Sequence, residues 1–359
     1  MSGLSDLQWE HLSNYAIATA GVFYFLALLA HLVEWSALRQ VPVWATKAAV
    51  PAGVVSTGST DGVSSTGSTG EVGSTDRVGA TGGAGSAGGA GDDPSYRIEM
   101  FGRLALTVTF FAVAAHFVGL VGRGMAADPN RVPWGNMYEF TITGSFVVAL
   151  GYLLLRRRFG LDWMGPIVTA LELVLLMVAV LWLYDPIAPL TEALLSPWLV
   201  IHVLSAIVAT GAFTLGGITS ALYLVKARAE RRGTTSDRGY VARLPGPSTL
   251  DRVSYRINAF AFPVWTFAVL ISGPIWAHQA WSSYWNWDPK EVCAFITWVI
   301  YAAYLHARAT AGWRGRNAAI LALVGVASLW FNFIGINYFS TTSQHSYANG
   351  APVVELRVR

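Results

Sequence analysis

The sequence predicts an all-α, polytopic membrane helix bundle of about eight transmembrane helices with both termini outside. Three observations carry that prediction. Of 359 residues, 53% are hydrophobic and only 13% charged, and mean hydropathy is +0.45, a composition foreign to soluble domains. Eight apolar stretches approach the roughly 20 helical residues needed to cross about 30 Å of hydrocarbon. Lys and Arg gather in alternate connections, as cytoplasmic loops require. A net charge of +3 is too small to indicate nucleic acid, and the single Cys293 excludes an internal disulfide or a CxxCH haem-attachment site.

The elements follow in chain order. Residues 15–35 form the first span; Asp6 and Glu10 precede it with no cationic segment and no small-residue cleavage site, so it reads as a retained helix rather than a signal peptide. It belongs to an N-terminal segment, 1–50. Residues 51–93 are a run of Gly, Ser, Thr and Ala that cannot bury enough apolar surface to offset ordering, and read as a disordered cytoplasmic linker. The main bundle, 94–348, starts with spans at 98–122 and 138–155, the latter closed by Arg156, Arg157 and Arg158. The span at 164–184 carries Glu172 near its middle, a carboxylate expected to pair with a neighbouring helix. The connection at 185–197 has no Lys or Arg and is placed outside. After the span at 198–225 comes a basic loop with Lys226, Arg228, Arg231, Arg232, Arg238, Arg243, Arg252 and Arg256, placed inside. The span at 257–277 leads to an uncharged outer connection at 278–289. The spans at 290–309 and 317–338 are separated by Arg308, Arg314 and Arg316, and a tail, 349–359, ends the chain.

The segment AWSSYWNWDPKEVCAFITWVIYAAYLHAR, 280–308, is the most informative. Trp281, Tyr284, Trp285 and Trp287 crowd an outward loop. Asp288, Pro289 and Glu291 then open a helix as N-cap, first-turn proline and capping-box partner. An interfacial aromatic belt before a capped helix is one reading. Four aromatics in seven residues favour the other, a platform for a flat ligand.

Imidazoles in or beside a membrane are costly unless partnered. His202, at the outer end of the fifth span, and His345, beyond the eighth, flank the tryptophan segment on one face. Two neutral imidazoles so placed can take both axial positions of a haem iron while the aromatic loop holds the ring plane. His306 lies seventeen residues beyond Pro289, about 26 Å deeper at 1.5 Å per helical residue. It reads equally well as an inner ligand or as an interfacial side chain beside Arg308. His31 and His116 read as satisfied core or interfacial residues, His11 as a tail residue, and His278 as a substitute ligand ranked below His202 and His345.

WNWDPKE at 285–291, VPWGNMYEF at 132–140, YLHAR at 304–308 and HSYA at 345–348 resemble motifs of the CcsA/ResC-type cytochrome c biogenesis proteins, often called CcsB in actinobacteria. That family belongs to the haem-handling group with CcmC and CcmF, and its tryptophan-rich WWD signature corresponds to the loop near 278–291. Ser282 stands where a glycine is expected, Cys293 where an aromatic is common, and Ser343 and Gln344 in place of Gly-Leu. The resemblance covers about 98–348. It implies that His202 and His345 are the two outer haem ligands and His306 the transmembrane one. Trp281, Tyr284, Trp285, Trp287 and Asp288 are then expected to cradle haem b.

The resemblance further implies a multi-pass plasma-membrane protein with its active face extracytoplasmic, forming part of a haem lyase (holocytochrome c synthase). A ResB-like membrane partner, apocytochrome c and possible thiol-reducing thioredoxin-like proteins complete the expected set. No conventional acid, base or nucleophile stands out, so positioning is the expected contribution to catalysis. The rivals are a solute exporter with an aromatic gate, for which no inverted repeat is visible, a fixed dihaem carrier, a purely structural subunit, and haem delivery to a chaperone in the manner of CcmC.

Overall fold

The computed structural model describes residues 4–42, 94–187, 196–234, 236–340 and 343; the expected linker, His345 and the C-terminal tail lie outside the described residues. Eight helical segments are long and apolar enough to span a membrane, and each contains or closely matches one predicted span. They are α1 (Asp6–Leu38), α2 (Pro94–Met125), α3 (Met137–Phe159), α4 (Gly165–Val178, within the span Asp162–Leu183), α5 (Pro197–Arg231), α7 (Pro247–Thr266) continued by α8 (Gly273–Trp281), α9 (Pro289–Thr310) and α10 (Arg316–Trp330) with α11 (Ile336–Phe339); α6 is the short Tyr240–Arg243. Among the described residues there is no strand.

Helices rather than any other element form here because hydrocarbon offers no partner for backbone N–H and C=O groups. Their ends are set locally. Ser5, with Gln8 in a reciprocal capping box, starts α1, Asn136 caps α3, and Asp288 with Glu291 caps α9 as the sequence predicts. Gly-Pro and apolar stretches do something the sequence pattern does not announce. At Ala179–Leu183, Phe267–Ser272 and Phe331–Gly335 the helices loosen into π turns, each in the part of its span near the tryptophan loop.

The core has two halves. One, with Ile17, Tyr24, Tyr138, Ile142 and Leu176, packs α1 to α4. The other, with Phe213, Trp265, Tyr301 and Leu329, packs α5, α7, α9 and α10, and its Phe213 and Tyr301 rings stack at 3.6 Å. Tyr152, Met164, Val168, Leu215 and Val253 join the halves. The close α1–α2 pair depends on small residues: a Cβ at Gly119 would come within 2.6 Å of Ile17, and Ser13 donates to the Gly119 carbonyl at 2.7 Å. At the end opposite the tryptophan loop, Arg308 clamps Asp251 with bonds of 2.8 and 3.0 Å. There too Arg243 binds the Leu38 and Val41 carbonyls at 2.8 Å each.

Two polar side chains are buried among the spans. Glu172 is fully buried beside Ser145 of the neighbouring α3, whose hydroxyl acts on the carboxyl, although neither carboxyl oxygen meets a donor in full hydrogen-bond geometry. His116 is likewise fully buried, beside the Ile142 backbone and edge-on to Tyr24 and Phe146, with neither ring nitrogen in full hydrogen-bond geometry. His31 is satisfied, by Glu34 at 2.9 Å.

Candidate functional site

A pocket of about 1230 Å³, counting its open mouth, lies at the tryptophan end of the second half-bundle. Its walls come from α5 (His202, Ala206), the α7–α8 region (Trp265, Val269, Trp276), the loop before α9 (Tyr284, Trp285), the head of α9 (Lys290, Glu291), the π turn after α10 (Asn332, Phe333) and the 134–140 segment (Trp134, Asn136, Phe140). Two of the three π turns thus shape it. A smaller recess of about 480 Å³ shares Phe140, Thr210 and Phe333 with the pocket and extends to Ser145 and Leu175.

His202 is the imidazole on this wall, and its orientation is fixed. Nδ1 lies 3.0 Å from the Ala268 carbonyl, a bond in which the ring must be the donor, so the lone pair sits on Nε2. The Ala268 carbonyl is available because it belongs to the π turn, where it also accepts from the Gly273 N–H and, at 3.2 Å, the Ser272 hydroxyl. Gly273 makes room: a Cβ there would lie 2.9 Å from that carbonyl oxygen and 3.2 Å from His202 Cε1. Trp276 stacks on the imidazole at 6.0 Å and 10°, and Trp281 packs on Trp276 at 4.9 Å. An imidazole held at Nδ1 by a carbonyl and presenting Nε2 is the usual arrangement of a metal-ligating histidine.

The structure sorts the predicted cradle. Tyr284 and Trp285 line the pocket, and Tyr284 also stacks on the exposed His278 at 4.3 Å. Trp281 stands one layer behind, on Trp276. Trp287 is 78% exposed; its backbone is left-handed, with φ of 56°, which carries its ring out to meet only the edge of Trp285. Asp288 is not on the wall either, because it is buried as the helix cap, accepting from the Lys290 N–H at 2.8 Å and the Ser343 hydroxyl at 2.9 Å. The bond places Ser343 beside the tryptophan loop. Ser282, at φ of 57°, occupies the left-handed conformation that explains the glycine expected there. His306 stands apart, exposed near the far end of α9. Among the described residues no cluster of three or more His, Cys, Asp or Glu could hold a bare metal ion.

Sequence reasoning missed Trp134, Asn136, Phe140, Trp265, Trp276, Lys290 and Phe333 as wall residues. Gly273-Pro274-Ile275-Trp276 inside an apolar span was the available signal, since a proline there cannot donate and displaces the helical register. The 131–136 loop is held by Glu139, which accepts from Arg123 at 3.0 Å, Arg131 at 3.3 Å and the Gly135 N–H at 2.8 Å. Arg123 also reaches the Asp185 carbonyl and lies over the Tyr138 ring. Thr143 donates to the Pro133 carbonyl at 2.8 Å, and Asn136 accepts from the Glu139 N–H at 2.9 Å.

Residues 134–343 match the family described as Cytochrome C assembly protein, a stretch that contains every wall residue of the pocket. The chain is 31% identical over 271 residues to the cytochrome c biogenesis protein CcsA of Mesostigma viride, covering 70% of this chain and 87% of that one. It is 35% identical over 262 residues to CcsA of Synechococcus elongatus, covering 61% and 80%. The solved structure of the cytochrome c haem lyase CcmF has a similar fold, with a TM-score of 0.53 at 13% identity; the match covers 94% of this chain and 50% of that one.

Proposed function

This chain belongs to the Cytochrome C assembly protein family as a CcsA-type multi-pass membrane protein of cytochrome c biogenesis, and from that premise we propose that it is the haem-handling subunit of a cytochrome c synthase. Haem b is its substrate. The reading rests above all on one observation, the His202 imidazole held at Nδ1 by the Ala268 carbonyl on the wall of an aromatic-lined pocket.

In this reading the arginine-rich end faces the cytoplasm and the tryptophan end faces outward from the plasma membrane. The chain divides into the N-terminal helix at 1–50, the linker at 51–93, the bundle at 94–348 and the tail. His306, on the exposed side of α9, is the inner haem ligand, and its exposure suits completion of the site by a ligand from a ResB-like membrane partner. Haem then passes to the pocket, where His202 and His345 take the two axial positions and Tyr284 and Trp285 flank the ring. Trp281, through Trp276, supports the His202 ring rather than touching the substrate. Asp288 and Ser343 hold the loop and the His345 segment together. Trp287, exposed at the rim, meets the incoming apocytochrome c.

The chemistry is addition. Each thiol of the apocytochrome CxxCH motif adds across a haem vinyl group, sulfur bonding to the ring-side carbon and hydrogen to the terminal carbon, with no net oxidation. The apocytochrome histidine then displaces one of this chain's axial ligands. The addition needs ferrous iron, whose potential the axial ligands and burial set, and thioredoxin-like proteins keep the thiols reduced. The chain contributes positioning: it fixes the tautomer of His202, excludes water with its aromatic walls and presents the vinyl edge.

The test is the absorption spectrum of the purified protein, as isolated and after dithionite. Wild type is expected to give a reduced, low-spin bis-histidine spectrum. His202→Ala and His345→Ala are expected to lose or weaken it, and His306→Ala to leave the outer signal intact while lowering haem delivery. Absence of haem from wild type co-purified with its partner overturns the reading.

A further inference from the structure

The pocket wall is largely apolar, and besides His202, Thr210 and Glu291 it carries three polar side chains. Lys290 from α9, Asn332 from the π turn after α10 and Asn136 at the head of α3 bring polar side chains to it from three elements. Asn337 ties that region together: its Oδ1 accepts from Lys290 Nζ at 2.8 Å, while its Nδ2 donates to the Phe333 carbonyl at 2.5 Å and lies 3.3 Å from Met137 Sδ. The ammonium is therefore held in place by a neutral amide.

Two carboxylates lie nearby, and Asp288 acts on the Lys290 charge. Glu291 also lines the pocket, but its Oε2 accepts from the Asn286 and Asp288 N–H groups at 2.9 and 3.2 Å. Asp288 is the acidic neighbour of Lys290, and its Oδ1 is bound to the Lys290 N–H and the Ser343 hydroxyl. The two asparagines suit the same ligand chemistry. Asn136 commits its Oδ1 to the Glu139 N–H, which leaves the amide NH₂ as its donating end. Asn332 is buried at the wall; its unpartnered Oδ1 is an acceptor and does not suit a carboxylate, so its part is the amide NH₂ alone. A cation flanked by amides in an apolar chamber is a carboxylate-recognising arrangement.

Resting on the haem reading above, we propose that Lys290, with Asn136 and Asn332, binds the propionate carboxylates of haem and so decides which edge of the macrocycle the pocket holds. Haem is amphipathic along one axis, with two carboxylates on one edge and the vinyl groups elsewhere on the ring. Anchoring the carboxylates at Lys290 fixes the in-plane rotation that axial ligation by His202 leaves open. It is a specificity determinant: a porphyrin lacking free carboxylates fits the apolar walls but finds no partner at this end.

The experiment compares binding of haem and of haem dimethyl ester to the detergent-purified full chain by absorption titration, for wild type, Lys290→Met and Lys290→Arg. Loss of a charge-assisted hydrogen bond weakens binding about ten- to a hundredfold. Wild type is expected to prefer free haem by about that factor, Lys290→Met to bind both forms at the ester's affinity, and Lys290→Arg to retain the preference. Equal affinity of wild type for both forms overturns the inference and leaves the haem reading standing, and this arm does not depend on any variant folding. Absence of a bis-histidine spectrum with either form removes the haem reading and the inference with it.

Discussion

Gly273→Ala tests whether the π turn exists to hold His202. The added methyl group would sit 2.9 Å from the Ala268 carbonyl oxygen, 3.2 Å from His202 Cε1 and 3.3 Å from Nδ1. The first contact is to backbone, so it is not relieved by turning a side chain; either the π turn closes or the imidazole is pushed from the carbonyl. Both outcomes break the 3.0 Å bond that fixes the tautomer. Losing the group that orients a metal-ligating histidine costs about 10- to 100-fold in affinity, which is about 1.4 to 2.8 kcal/mol. Stability should fall too, because a methyl group forced against backbone costs more than the roughly 1 kcal/mol that alanine gains over glycine in unstrained helix. Titration with haem and thermal unfolding followed by circular dichroism separate the two effects. A Gly273→Ala protein that is at least as stable as wild type and binds haem with unchanged affinity refutes the argument that this close approach sets the ligand.

Three further substitutions probe the scaffold. Ser282→Gly removes a left-handed serine that costs about 1–2 kcal/mol, partly offset by the added freedom of glycine, so a rise in stability of about 1 kcal/mol is expected from thermal unfolding. Arg123→Met leaves the buried Glu139 carboxylate with Arg131 as its remaining cation and should cost up to about 3–5 kcal/mol, while the double variant with Glu139→Gln recovers most of the loss; equal losses in both show that the ion pair is not the cause. Glu172→Leu deletes two unpartnered buried oxygens, each worth about 1–3 kcal/mol of desolvation penalty, so the melting temperature should rise, and a fall instead shows that Glu172 has partners in the working protein.

The eight spans were legible because the bilayer imposes length and apolarity directly on composition, and the cap of α9 because Asp288, Pro289 and Glu291 act within one turn. The π turns were not legible, since one extra residue per turn leaves the apolar pattern of a lipid-facing helix nearly unchanged. This is why His202 could be chosen but its carbonyl partner, 66 residues away, could not. The tryptophan segment was read as one platform, whereas the positive φ of Trp287 and the cap role of Asp288 divide it into wall, support and rim. Glu172 and His116 mark a related limit: a sequence shows that a polar residue is intramembrane, not which neighbour meets it, Ser145 in one case and the Ile142 backbone in the other.

The family match begins at Trp134, so α1 and α2 lie outside it, yet they bear on the pocket. Arg123 is near the end of α2 and is itself buried, 4.0 Å from Glu10 of α1 and bonded to Glu139 of α3. The Glu139 carboxylate in turn receives the Gly135 N–H, while its backbone N–H donates to Asn136, so the carboxylate that Arg123 stabilises holds Gly135, between the wall residues Trp134 and Asn136. A buried carboxylate without its cation would turn toward water or another donor, releasing the loop. Shape at the pocket floor therefore depends on a helix pair that contributes no wall residue. The consequence is specific: Arg123→Met should weaken haem binding as well as stability, and the Glu139→Gln double variant should recover stability more completely than affinity, because glutamine can stay buried but no longer accepts the charged bonds that hold Arg131 in place.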